Sequence, residues 1–156
     1  MTHMAARTSA VHRFLRLSRR NKLALGEALL SLSLASLAIK IVPFRRTVEL
    51  ISLPGHRPQP ADSSHRDRLV AECRWAVQAW ANRVPWRAVC FQRGLALHLM
   101  LRRRGISSVL HYGVAQSGEA GLQAHVWIDV EERTVLGGEE ASKFARVASF
   151  PAAGRK

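Results

Sequence analysis

Cysteine is scarce in this sequence. Only two of the 156 residues are cysteines, Cys73 and Cys90. Two cysteines cannot form a disulfide framework, and neither belongs to a CxxC pair or to a Cys/His cluster of the kind that holds zinc. We therefore expect no metal site, and we expect reduced thiols in a cytoplasmic protein.

Acidic residues are also few, with 11 Asp+Glu against 24 Lys+Arg and a formal net charge of +13. Residues 1–60 carry ten Lys/Arg and two acids, so the excess is concentrated towards the N-terminus. Such a charge implies an acidic partner: nucleic acid, anionic lipid, or an acidic peptide or protein. No helix-turn-helix, zinc or RNA-recognition motif appears, and surface aromatics do not alternate with the arginines, so we expect no nucleic acid.

A long apolar run is missing as well. The uncharged run from Ala28 to Ile39 has twelve residues and includes three serines, whereas a membrane span needs about twenty apolar residues. The basic start lacks the apolar core and cleavage site of a secretory signal. We predict a helix over 21–42 that packs against protein. The alternative is weak association with a membrane surface through residues 9–42.

Composition and the positions of the prolines divide the chain into segments. Hydrophobic residues make up 47%, enough for a core, and three prolines mark a linker. We predict four parts: an N-terminal helical region over 1–51, a linker over 52–63, a module over 64–150 and a tail over 151–156.

The periodicities predict an α+β module, with helices packed on a small antiparallel sheet behind an N-terminal helical extension. We expect Asn21 to cap the helix over 21–42, Pro43 to end it, and Ser63 or Ser64 to cap the next long helix. The predicted helices cover 9–20, 21–42, 44–51, 64–82 and 88–104, with a short one inside 139–147. The predicted strands cover 106–115, 122–130 and 134–138, the last two joined by a tight turn.

One Cys/His pair suggests chemistry. Cys90 falls at the start of a predicted helix, where unpaired backbone N–H groups and the helix dipole lower a thiol pKa; Arg87 and Arg93 would act in the same direction. His125 lies on a predicted strand and could accept and return the proton. Cys73 falls in the middle of a helix and is expected to be a buried apolar residue.

The segment PWRAVCFQRGLALHLMLRRRGISSVLHYGV, followed by AHVWIDV, resembles the leader peptidases of lasso-peptide biosynthesis, often called B proteins. The resemblance covers about residues 84–140, and Pro-Phe-Arg-Arg at 43–46 also looks typical. The matching residues are Trp86, Arg87, Cys90, Leu95, Leu97, Arg103, Gly105, Gly113, His125, Trp127 and Val130.

The resemblance implies a transglutaminase-like (papain-like) cysteine protease core with a Cys/His/Asp triad and no metal or cofactor. It implies that Cys90 and His125 remove the leader from a ribosomally made precursor peptide, after which an ATP-dependent lasso cyclase closes a ring on the freed amine. The length suits a stand-alone protease form that depends on a separate leader-binding recognition protein.

The third member of the triad is the main departure from that family. A tight turn at Glu131–Glu132 would pair Val130 with Arg133 and place His125 opposite Gly138. The position where the family usually has an Asp therefore falls near Gly137–Gly138, and both are glycine here. Asp129 lies roughly 13 Å along the same strand, too far to orient His125. Three alternatives stay open: Glu139, a backbone carbonyl, or a vacant position.

Three further alternatives concern the site. Trp86 and Trp127 are either core aromatics or walls of a substrate cleft. The chain could also be a degenerate protease-fold scaffold that binds the precursor or the cyclase without catalysis. The same Cys/His pair could instead transfer the acyl group to an amine rather than to water.

Overall fold

The computed structural model describes residues 14–51, 62–86, 90–116 and 121–151. Most of the helix predicted over 9–20, residues 52–61 of the linker predicted over 52–63, and the segment around Arg87 lie outside these ranges. The helices are α1 (Arg19–Ile41), α2 (Phe44–Ile51), α3 (Ser63–Ala81), α4 (Cys90–Arg103) and the short α5 (Gly138–Ala141). The strands are β1 (Val109–Gln116), β2 (Leu122–Val130), β3 (Arg133–Leu136) and β4 (Ala145–Phe150).

The helix starts differ from the predicted ones by one or two residues. The side chain of Ser18, rather than that of Asn21, caps α1, and it accepts a hydrogen bond from the Asn21 N–H. The carboxylate of Asp62, rather than Ser63 or Ser64, caps α3. In both helices a polar residue slightly upstream satisfies the first unpaired N–H groups, so the helix gains its first turn earlier. Helix α2 is confirmed.

The four strands form one antiparallel sheet in the order β3-β2-β1-β4. Strand β2 has the predicted bounds, and Val130 pairs with Arg133 across the predicted tight turn. Glu131 and Glu132 both have positive φ, 49° and 64°, as a two-residue turn that follows the strand twist requires. The prediction of three strands was incomplete, because β4 forms within a segment expected to be partly helical.

One face of the sheet packs on the helices. Alternate β2 residues, Val126, Ile128 and Val130, are buried in one core with α4 residues such as Leu95 and Leu97. Helix α1 belongs to the same core through Leu25, Ala28, Leu32 and Ala35. The N-terminal helix therefore packs on α3 and α4, and the chain is an α+β protein with helices on one side of a small sheet.

Candidate active site

The start of α4 lies against the first half of β2. Cys90 is the first residue of α4, and its Sγ lies 3.8 Å from the carbonyl oxygen of Ala124, the residue before His125. One helical turn later, Gly94 presents no side chain to the sheet: a Cβ there would lie 2.6 Å from Cγ1 of Val126. A helix residue and the one four positions on share a face, so Gly94 lets α4 approach β2 and brings Cys90 beside it.

A cleft of about 660 Å³ opens at this junction. Cys90 and Arg93 of α4 line it together with Gln78 of α3. His125 of β2 lines the opposite side, together with Glu139 of α5 and Phe144, which lies just before β4. The tertiary structure thus brings the two predicted catalytic side chains to one cavity, although they are separated by 34 residues of chain.

The His125 ring is held from several directions. Phe144 stacks on it with ring centroids 5.0 Å apart, and Trp127 lies on it at 6.3 Å. Nε2 of His125 is 2.8 Å from the carbonyl oxygen of Gly137. Because a carbonyl only accepts, Nε2 carries the hydrogen and donates it, and Nδ1 is the nitrogen left to accept a proton.

Gly137 can reach His125 because of its backbone conformation. It has φ +74°, and a Cβ on it would lie 2.6 Å from the carbonyl oxygen of Val126 and 3.2 Å from Nε2 of His125. Strand β3 ends at Leu136, one residue before this turn. The prediction that His125 falls opposite Gly138 on a longer strand was wrong for two reasons. Strand β3 ends before Gly138, and a bulge at Ile128/Asp129 shifts the register of the pairing.

Neither Glu139 nor Asp129, two acidic residues near the site, binds His125 in the structure. Glu139 is exposed on α5, lines the cleft and makes no hydrogen bond or ion pair within the described part of the chain. Asp129 binds Nε2 of His111 at 3.0 Å, and Nδ1 of His111 bonds Oγ of Ser149 at 2.8 Å. Among the described residues, the Nε2 partner of His125 is thus the Gly137 carbonyl.

The two tryptophans named from the sequence do not line the cleft. Trp127 is buried between His111 and His125, and its ring centroid lies 5.4 Å from that of His111. Its ring therefore packs against the His125 imidazole on the side away from the cleft. Trp86 is half-buried, and its Nε1 is enclosed without a hydrogen-bond partner among the described residues. Phe144 and Gln78 line the cleft without having been singled out, because their sequence neighbourhoods carry no motif.

Burial dominates the electrostatics of the two thiols. It raises the pKa of Cys90 above its ordinary value, although the N–H groups of Val126 and Phe91 and the charge of Arg93 act in the opposite direction. The expectation of a lowered pKa was wrong for this reason. Cys73 is fully buried, as expected, and burial raises its pKa to about 11.

The family model of the transglutaminase-like superfamily matches residues 33–149. This match covers about three quarters of the 156 residues. The chain belongs to the transglutaminase-like superfamily, whose members are often cysteine proteases or transglutaminases. Comparisons with curated proteins and with solved structures found no significant match.

Proposed function

We propose that this protein is a cytoplasmic cysteine peptidase that removes the leader from a ribosomally made lasso-peptide precursor. The observation that supports the proposal is the shared cleft of Cys90 and His125, in a chain whose motifs resemble the lasso leader peptidases. The proposed partners are the precursor, a separate leader-binding protein and the ATP-dependent cyclase.

In the proposed mechanism, Sγ of Cys90 attacks the carbonyl carbon of the bond between leader and core. Nδ1 of His125 takes the thiol proton and gives it to the leaving amine, which is the N-terminus of the core peptide. Backbone N–H groups in the first turn of α4 stabilise the oxyanion. Water then attacks the acyl-enzyme, releases the leader as an acid and returns the thiol.

The Gly137 carbonyl takes the orienting role that a carboxylate has in the resembled family. It fixes the ring and its tautomer through the 2.8 Å hydrogen bond. A neutral carbonyl stabilises an imidazolium less than a carboxylate would. We therefore expect a slow enzyme, one that relies on the leader-binding protein to raise the effective concentration of its substrate.

The test is cleavage of the precursor, followed by mass spectrometry, with the leader-binding protein present. We expect wild type and Cys73→Ala to release leader and core, and Cys90→Ala to release neither. The two products together should exceed the precursor mass by one water. Joining of the acyl fragment to an added amine would instead identify a transamidase. Cleavage that survives in Cys90→Ala would remove Cys90 as nucleophile.

A non-catalytic scaffold is the second candidate. Two observations favour it: the raised pKa of Cys90, and the absence of a carboxylate bound to His125 among the described residues. Under that function, the protein would bind the precursor or the cyclase with unchanged affinity after Cys90→Ala and would cleave nothing. Binding measured in parallel with cleavage therefore separates the two functions.

A further inference from the structure

Helix α1 has two contrasting faces. Ala24, Leu25, Ala28 and Leu32 are buried against the rest of the protein. Glu27 faces the protein too and is held by Arg104 in an ion pair of 2.7 Å. These contacts fix which face of the helix points outwards.

The outward face is apolar over most of its length. Between Lys22 and Lys40, every exposed position is a leucine or a glycine: Leu23, Gly26, Leu30, Leu34 and Leu37. With Ile41 these positions recur every three or four residues, so they form one stripe about 27 Å long. We call these six residues the leucine stripe.

The leucine stripe holds half of the exposed large hydrophobic side chains in the described part of the chain. Ten such side chains are exposed there, and seven of them lie within residues 14–41. Leu23 and Ile41 are 75% and 71% exposed. A contiguous apolar surface of this kind marks an interaction site.

Basic residues lie beyond both ends of the stripe. Arg16 and Arg19 precede it, Lys40 and Arg46 lie at its other end, and all four are exposed and make no ion pair among the described residues. Three acids lie nearby, Glu27, Glu49 and Glu72, and each forms an ion pair with an arginine. The surface is therefore apolar in the middle and cationic at both ends.

We propose that the leucine stripe docks the protein on an anionic lipid bilayer, with α1 lying in the plane of the interface. Apolar side chains would enter the boundary between headgroups and acyl chains, and the flanking cations would contact lipid phosphates. A second copy is a poor occupant, because two stripes face to face bring cationic ends together in a protein of net charge +13.

The geometry also distinguishes lying on a bilayer from crossing it. By length and composition alone α1 could span a membrane, but a third of its most apolar window is buried inside the protein. Leaving the core would carry Glu27 into hydrocarbon and would take away the carboxylate that pairs with Arg104. It would also uncover the core residues that pack against Leu25 and Leu32. An interfacial position leaves the core intact.

Vesicle flotation tests the proposal. The full-length protein is mixed with vesicles of phosphatidylcholine alone, or of phosphatidylcholine and phosphatidylglycerol in equal parts. We expect flotation with the anionic vesicles and loss of binding as salt is raised. A triple variant, L30Q/L34Q/L37Q, should bind at least about tenfold more weakly. Lys40→Gln and Arg46→Gln should each weaken binding about fivefold.

Matched controls make the result specific. Leu122 is 73% exposed on β2, outside the stripe, so Leu122→Gln should bind as wild type does. Cys90→Ala should also bind normally, which keeps this test separate from that of the peptidase. Circular dichroism checks that each variant is folded.

Several outcomes would overturn the proposal. One is no flotation with anionic vesicles, and another is an equal loss of binding in Leu122→Gln. A third is that the wild-type protein is a dimer in light scattering and does not bind vesicles, while the triple variant is a monomer. That result would mean that a second copy covers the stripe. Binding that survives alkaline carbonate would mean that α1 spans the bilayer.

Discussion

The carbonyl oxygen of Gly137 accepts a hydrogen bond from Nε2 of His125 over 2.8 Å. The bond depends on a turn at φ +74° that a side chain would obstruct. It occupies the ring nitrogen that a carboxylate would otherwise bind, and it leaves Nδ1 as the proton acceptor. The backbone conformation of Gly137 thus decides which nitrogen of His125 is free to accept a proton.

We expect Gly137→Ala to lower the cleavage rate by about a hundredfold, because a displaced turn releases the His125 ring. The matched control is Gly121→Ala. Gly121 also has φ +74°, but a Cβ there would meet nothing within 4 Å. Both changes should cost about 1–2 kcal/mol of stability for the left-handed conformation. Gly137→Ala should cost more than Gly121→Ala, because its Cβ would overlap the Val126 carbonyl. Equal cleavage rates in the two variants would count against the orienting role of Gly137.

Replacement of Glu139 tests the other acid. If the Gly137 carbonyl orients His125, Glu139→Gln should change the cleavage rate by less than about threefold. If Glu139 orients the ring during the reaction, the same change should cost on the order of 10³–10⁴ in rate. Glu140→Gln is the control, since Glu140 also lines the cleft but pairs with Lys143.

The approach of α4 to β2 is tested at Gly94. A Cβ at this position would overlap Val126, so Gly94→Ala should destabilise the protein by about 1–3 kcal/mol and move Cys90 away from the cleft. Gly26→Ala is the matched control: it is also helical, but a Cβ there meets nothing within 4 Å. It should raise the free energy of unfolding by up to about 1 kcal/mol and leave cleavage unchanged. Denaturant unfolding and the cleavage rate are measured for both, and a stable, active Gly94→Ala would contradict the packing argument.

The pH dependence of alkylation follows from the raised pKa of Cys90. Only the thiolate reacts, so below its pKa the rate of iodoacetamide modification should rise about tenfold per pH unit, without a plateau near pH 7. Cys73 is fully buried with a pKa of about 11, and it should stay unmodified in the folded protein. Peptide mapping after timed alkylation measures both. A plateau below pH 7 at Cys90 would instead indicate a thiolate already formed by ion pairing with His125.

Local patterns predicted most of the elements. The alternation in 122–130 gave β2 its bounds, and the two glutamates before Arg133 gave the turn. The β4 strand was missed because its six residues carry a short, weak alternation after a helix-like segment. Its formation depends on pairing with β1, which a local pattern does not contain. The helix caps were misplaced by a few residues, since several adjacent polar side chains could serve.

The candidate site was only half predictable. Cys90 and His125 could be named from the sequence because their residue types and neighbours indicate acyl-transfer chemistry. A backbone carbonyl stayed one of three alternatives and could not be assigned to Gly137, because every residue has a carbonyl and its direction depends on a backbone turn. The sign of the Cys90 pKa shift was predicted wrongly, because the charge and helix position are visible in the sequence whereas burial is not.

The sequence by itself determined the α+β class, the basic character and the Cys/His pair, because composition and periodicity are local properties. Only the tertiary structure decided that α1 shares the core and presents its leucine stripe outwards. It also decided that α4 packs closely on β2 and that a glycine carbonyl holds His125. Each of these depends on contacts between residues far apart in the chain, where packing and burial set the energies.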